Sequence, residues 1–214
     1  SWAARNVDIE AKIAEVSAFD PWVGLQLELC ARFGMRPKEA RHFRPHGAVI
    51  PRAQAIARDA DAFPEHETFL HISHGTKGGR PRDVPITSEA QRELLSRLTT
   101  AVATGMYVGR PGCTSTQNST RFYYVIRRFG ISKDQLGVVA HGLRHQHAND
   151  EYESAAGAPS RVRGGTERPP LDTQARERTA RLLGHSRPRV VSCYLGSSAV
   201  MRSKALKSSE PPIT

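Results

Sequence analysis

The sequence predicts a mixed fold, mainly α-helical, with one small antiparallel β-hairpin. Apolar residues recur at helical spacing over residues 6–17, 20–33, 88–103, 115–129 and 172–183. Only two short runs, 68–72 and 82–86, have strand character, and a Gly-rich turn at 76–79 separates them. The 214 residues suffice for one ample domain or two small ones.

Val7, Ile9, Ile13 and Val16 make a modest first stripe. Asp20-Pro21 is a strong helix start, with Asp as N-cap and Pro in the first turn. The helix that follows carries Trp22, Val23, Leu25, Leu27, Leu29, Cys30 and Phe33, too many for one narrow face, and is expected to be central and buried. Gly34 should end it, and Pro37 opens a short helix to Phe43. Residues 48–62, rich in Ala and Arg, are expected to be partly helical. The hairpin over 68–86 should be tight, with Lys77 at its tip. Ser88 and Gln91 form a capping box for the next helix, with Gly105 as its expected C-terminal cap. Residues 115–129 make another helix, and 138–140 lead into one that starts at His141. Residues 152–170, rich in Ser, Ala, Gly and Pro with three arginines, are expected to be a flexible basic loop. Asp172 then starts a helix that Gly184 closes, and a short final helix delivers Tyr194.

Thirty-one Lys and Arg against 21 Asp and Glu give a net charge of +10, which points to a polyanionic partner. No apolar run is long enough to span a bilayer, so no membrane association is expected. Cys30, Cys113 and Cys193 are few, odd in number and without ligand spacing, as suits free thiols in a reducing compartment.

The residues that carry chemistry are Arg36, Lys77, His141, Arg144, His185 and Tyr194. His141 and Arg144 lie three apart, so on a helix they leave one face. Arg grips phosphate oxygens in a planar fork, His exchanges protons near neutral pH, and Tyr can act as a covalent nucleophile. Together they suit attack on a phosphodiester. Plainer roles compete: Tyr194 as a half-buried core residue, Lys77 as solvated charge, and His185 as a cation at a helix end. A zinc site on His141 and His145 has no Cys or acidic partner at ligand spacing, so no metal is expected. Glu39 and His145 are expected to support the site from behind. Arg80, Arg82, Arg121, Arg127 and Arg187 are expected to contact DNA.

In chain order the set reads Arg, Lys, His-x-x-Arg, His, Tyr. This order, with Thr76-Lys77-Gly78-Gly79 in a hairpin and Leu183-Gly184-His185 after a helix, resembles the catalytic domain of the tyrosine recombinase (phage integrase) family. The resemblance spans residues 20–196, with 1–19 as a helical lead-in and 197–214 as a tail that forms a helix over 197–206. It implies a DNA strand-transferase that cuts and rejoins specific sites through a 3′-phosphotyrosyl link, without metal, ATP or other cofactor. Arg36 and Arg144 would clamp the phosphate, and Lys77 would protonate the 5′ oxygen. His141 would take the tyrosine proton, His185 would donate to the phosphate, and Tyr194 would attack. It further implies double-stranded DNA as partner, a homotetramer on DNA and a monomer when free, in a bacterial cytoplasm at the nucleoid. Type IB topoisomerase-like relaxation and a non-catalytic DNA-binding module remain open. Two segments are longer than the family pattern: residues 44–66, and the 41 positions from Arg144 to His185. Family members usually carry an upstream helical domain that clamps DNA, and residues 1–19 are too short to be one.

Overall fold

The computed structural model describes residues 2–165, 170–185 and 187–197. Mainly helical, it carries one three-stranded antiparallel sheet. Helix α1 (Ile9–Phe19) starts at Asp8, whose carboxylate accepts from Ala11 N at 3.0 Å. Helix α2 (Pro21–Phe33) follows at once. Asp20 accepts from Val23 N at 3.2 Å, and Gly34 ends the helix in the left-handed conformation at φ 57°. A side chain at Gly34 would also strike the His147 ring, so only glycine fits there. As its composition predicts, α2 is central: Leu27, Leu29, Cys30 and Phe33 are fully buried. It packs against α1, the short α3 (Pro37–His42), α5 (Glu89–Ala101, below) and α7 (His141–Ala156).

The sheet has strand order β1 (Val49–Pro51), β2 (Thr68–Ile72) and β3 (Arg82–Pro85). Val49 faces Leu70, and Ile72 faces Arg82. The first strand adds to the expectation that 48–62 is partly helical. That stretch gives a strand, a 3₁₀ turn at Arg52–Gln54 and only a one-turn helix, α4 (Ala57–Ala60). Two β-branched residues followed by Pro suit a sheet edge, where the missing N–H of Pro costs nothing. The link between β2 and β3 is longer than the tight hairpin expected, and Lys77–Gly79 forms a 3₁₀ turn within it.

Helix α5 has its capping box: Gln91 Oε1 accepts from Ser88 N at 3.2 Å, and Ser88 Oγ accepts from Gln91 N at 3.3 Å. It ends at Val102, before Gly105, because Val102 turns to an extended conformation and buries its side chain. Helix α6 spans Ser115–Arg128, close to its expected bounds. The expected loop from 152 begins late. Tyr152 lies inside α7, buried, and its hydroxyl donates to Asp172 at 2.7 Å. Gly157 ends that helix, and Arg163 folds back to pair with Asp150 and Glu153, each at 2.7 Å. A polar composition had masked these ties. Residues 166–169 and the expected tail helix over 197–206 lie outside the described residues, apart from Ser197.

Two apolar clusters result. The larger joins α1, α2, the sheet, α5 and α6. The smaller joins α7, α8 (Asp172–Leu182) and α9 (Ser192–Leu195), and it holds Tyr194. The lead-in shares the larger cluster through Trp2, Ile13 and Val16. Trp2 is fully buried, rests on Gly142, and donates from Nε1 to Val139 O at 3.0 Å. Among the described residues, no helix is long and apolar enough to cross a membrane.

Trp2 thus braces the start of the helix that carries His141 and Arg144. Trp2→Ala should cost about 3–5 kcal/mol of stability, read as a lower urea midpoint with an unchanged slope.

Candidate active site

The site forms where the two clusters meet, and three helix ends build it. Helix α2 stops at Gly34, α8 stops at Leu183, and α7 begins at His141. Arg144, one turn into α7, is fully buried. Its NH1 donates to Gly34 O at 2.5 Å, its NH2 to Leu183 O at 2.6 Å, and its Nε to the Tyr194 hydroxyl at 3.3 Å. The last carbonyls of a helix lack intrahelical partners and carry partial negative charge, so two such ends attract one guanidinium.

Helix α8 ends in a Schellman motif, with Gly184 N on Arg181 O and His185 N on Ala180 O, each at 2.8 Å. This motif places His185. Tyr194 comes from α9, and its carbonyl accepts from Asn149 Nδ2 at 3.2 Å. Its ring lies 4.4 Å from the His145 ring and 6.0 Å from that of His185. His141 and His145 lie edge to face at 5.2 Å.

Arg36 follows α2 and N-caps α3, so its side chain starts at the mouth of that helix pair. Glu39, one turn on, is fully buried and accepts four hydrogen bonds. Oε1 receives Arg36 NH1 at 2.6 Å and Arg82 NH1 at 2.8 Å. Oε2 receives Arg36 N and Arg82 NH2, each at 2.8 Å. Arg144 NH1 lies 3.9 Å from Oε2. The two expected clamp arginines therefore converge on one carboxylate.

A cleft of about 370 Å³ opens beside this group, lined by Arg36, Lys77, Arg80, Arg82, His185 and Arg187, among others. Lys77 reaches it from the 3₁₀ turn between β2 and β3. Tyr194, Arg144 and His141 do not line it; Arg144 is fully buried and Tyr194 only 5% exposed. Among the described residues there is no cluster of three or more metal-ligating side chains.

Two arginines expected at a DNA surface are engaged elsewhere. Arg82 is 2% exposed and bound to Glu39, because β3 is buried along its whole length. Arg121 donates to Asp20 at 2.7 Å and stacks on Phe19 and Tyr124, where it anchors the start of α2. Arg127 is exposed on α6, and Arg80 and Arg187 are exposed at the cleft. The role of Arg82 escaped the sequence reading, since a charged Arg-Asp pair in a short strand resembles a solvent-facing edge. No sequence signal marks it: Gly184, whose Cβ would lie 2.8 Å from Arg82 Cδ, is glycine already for its left-handed turn at φ 69°.

The electrostatics follow from this packing. Burial alone would raise the Glu39 pKa, but Arg82, then Arg144 and the Arg36 backbone, bring it down to about 2. Burial, with Arg82 and Arg36 nearby, lowers Arg144 to about 10, so it remains charged at neutral pH. Burial and Arg144 bring His185 down to about 4, with Arg36, Arg82 and Lys77 adding to the effect. Burial and His141 bring His145 to about 4, and burial with Arg144 lowers His141. These imidazoles are neutral at pH 7. Three guanidinium groups share one carboxylate, and Arg36, Lys77, Arg80, Arg82 and Arg187 line the cleft, so positive charge is in excess there.

A family model described as Integrase matches residues 3–150. The chain belongs to the integrase family. The matched region includes Arg36, Lys77, His141 and Arg144 and ends before His185 and Tyr194. Among solved structures, a crystal structure of XerA recombinase matches with a TM-score of 0.51 at 14% identity, over 96% of this chain. This integrase-family chain spans 63% of that chain's length, and the likeness is one of fold: mainly helical with a small sheet. Comparison with curated proteins gives no match.

Glu39→Gln strands three guanidinium groups without a counter-charge and should cost about 3–5 kcal/mol at pH 7. Because the folded pKa is depressed, the carboxylate's contribution is complete above about 4.5 and fades as pH falls toward about 2. Urea melts of wild type and variant should converge over that window.

Proposed function

We propose that this chain is the catalytic domain of a site-specific DNA recombinase that works through a 3′-phosphotyrosyl intermediate. The observation that carries the reading is the Glu39 hub. It gathers Arg36 and Arg144 beside a basic cleft, while Arg144 holds the Tyr194 hydroxyl at 3.3 Å. Family membership and the XerA-like fold support it independently.

In this reading a DNA phosphate enters the cleft and answers its excess positive charge. Arg36 and Arg144 bind the non-bridging oxygens. Three of the five N–H groups of Arg144 are engaged in the free protein, which leaves two for a phosphate oxygen. Tyr194 Oη attacks phosphorus, and its proton passes to His141, which is neutral and able to accept it. The P–O5′ bond breaks as the Oη–P bond forms, and Lys77 gives a proton to the departing 5′ oxygen. His185 stays neutral until phosphate lies beside it. The incoming negative charge raises its pKa and turns it into a donor. The phosphotyrosyl link conserves the phosphodiester bond, so a 5′ hydroxyl reverses the step without ATP. Tyr194 must leave its buried position to reach the cleft, a shift of the short α9 that DNA entry would drive. The acting species is a tetramer on duplex DNA.

A suicide duplex with a nick near the cleavage site should trap a covalent adduct that peptide mapping places on Tyr194. Tyr194→Phe should form none. Arg36→Ala and Arg144→Ala should slow adduct formation by roughly 10²–10³-fold. A wild-type protein that forms no adduct on any cognate site would reject the proposal.

A further inference from the structure

The Arg82–Glu39 pair is a poor stability device. Two charges are taken out of water, and a buried ion pair commonly does no better than a well-packed apolar pair. Arg82 even keeps one donor, Nε, buried and without a hydrogen-bond partner. The fold nonetheless reserves space for it. Gly184 approaches its side chain so closely that any Cβ would collide with Arg82 Cδ. That glycine belongs to the turn that presents His185.

The hydrogen bonds give the reason. Arg82 binds both oxygens of Glu39 in a bidentate fork, which fixes the plane of the carboxylate. The same two oxygens hold Arg36 through its NH1 and its backbone N. Arg144 stands 3.9 Å from one of them. Without Arg82, Glu39 is free to rotate about its own torsions and pair more closely with Arg36 or Arg144. Either movement turns a clamp arginine away from the phosphate.

We propose that Arg82 is a positioning residue for strand transfer: acting through Glu39, it orients Arg36 and leaves Arg144 free for the phosphate. The inference rests on the recombinase reading given above. Arg82 touches the carboxylate rather than the reacting atoms.

The test has two arms, on Arg82→Met and Arg82→Lys, with wild type alongside and folding checked by thermal melts. The first arm uses no DNA. Carbon-13 titration should find the wild-type Glu39 midpoint at about 2, displaced upward in both variants and most in Arg82→Met. The order parameter of the Arg36 Nε–H should fall in parallel. An unmoved Glu39 midpoint, or an Arg36 as rigid as in wild type, overturns the proposal. Should Arg82→Met fail to fold, Arg82→Lys alone decides, because its point charge cannot reproduce the fork.

The second arm measures adduct formation on nicked DNA at saturation. Arg82→Met should be slower by roughly 10- to 100-fold with little change in DNA affinity, and Arg82→Lys should recover part of the rate. A rate equal to wild type overturns the proposal. No adduct with wild type, beside the expected changes in the first arm, rejects strand transfer and leaves the positioning of Arg36 standing.

Discussion

The structure depends on one buried cation at the meeting point of two helix ends. Arg144 is fully enclosed, yet its guanidinium is surrounded by acceptors: the terminal carbonyls of α2 and α8 and a tyrosine hydroxyl. A buried charge is costly unless such groups replace its water. Here they come from the part of a helix that most lacks partners. The arrangement also settles topology. Helix α2 belongs to the larger apolar cluster, α8 and α9 to the smaller, and Arg144 ties them together. Any looseness between the two clusters would be felt first at this residue.

Such a centre needs an anion, and Glu39 meets only part of that need. One carboxylate faces three guanidinium groups, and Lys77 and Arg187 add charge at the mouth of the cleft. The neighbouring guanidinium groups overcome burial to lower the pKa of Glu39, whereas burial comes first in lowering His185 and the same cations add to it. The free protein thus holds its imidazoles neutral. In the proposed reaction a phosphate would shift these equilibria together, which would couple proton transfer to occupancy of the cleft.

Much of this was legible in the sequence. Asp20-Pro21 and Gly34 bound α2 because N-caps and left-handed C-caps are local effects that neighbouring residues decide. Ser88 and Gln91 mark α5 for the same reason. The candidate residues were legible as types in an order. Their mutual placement was not, because Arg36 and Arg144 are joined through a carboxylate and two carbonyls with no periodic signal. Residues 48–62 are partly helical as expected, but the strand at Val49–Pro51 was not legible, because Ala and Arg favour helix locally whereas pairing with β2 is a long-range effect. Arg82 and Arg121 were assigned to DNA on charge alone. Arginine serves equally as an interior fork or a stacked plate, and only burial separates those uses.

The position of Tyr194 follows from the same electrostatics. Its hydroxyl accepts from Arg144, so the phenol serves as one of the acceptors that make a buried guanidinium tolerable. A phosphate oxygen is a stronger acceptor than a neutral phenol, since it carries charge. In the proposed reaction, a bound phosphate would displace Tyr194 from Arg144 and release it in one exchange. The segment that would then move is the four-residue α9, tethered through the Tyr194 carbonyl to Asn149 and buried in the smaller apolar cluster through Tyr194 and Leu195. In the proposed reaction the attacking phenol would thus be held back by the cation that grips its target, and the order, phosphate first and phenol second, would follow from the acceptors competing for Arg144.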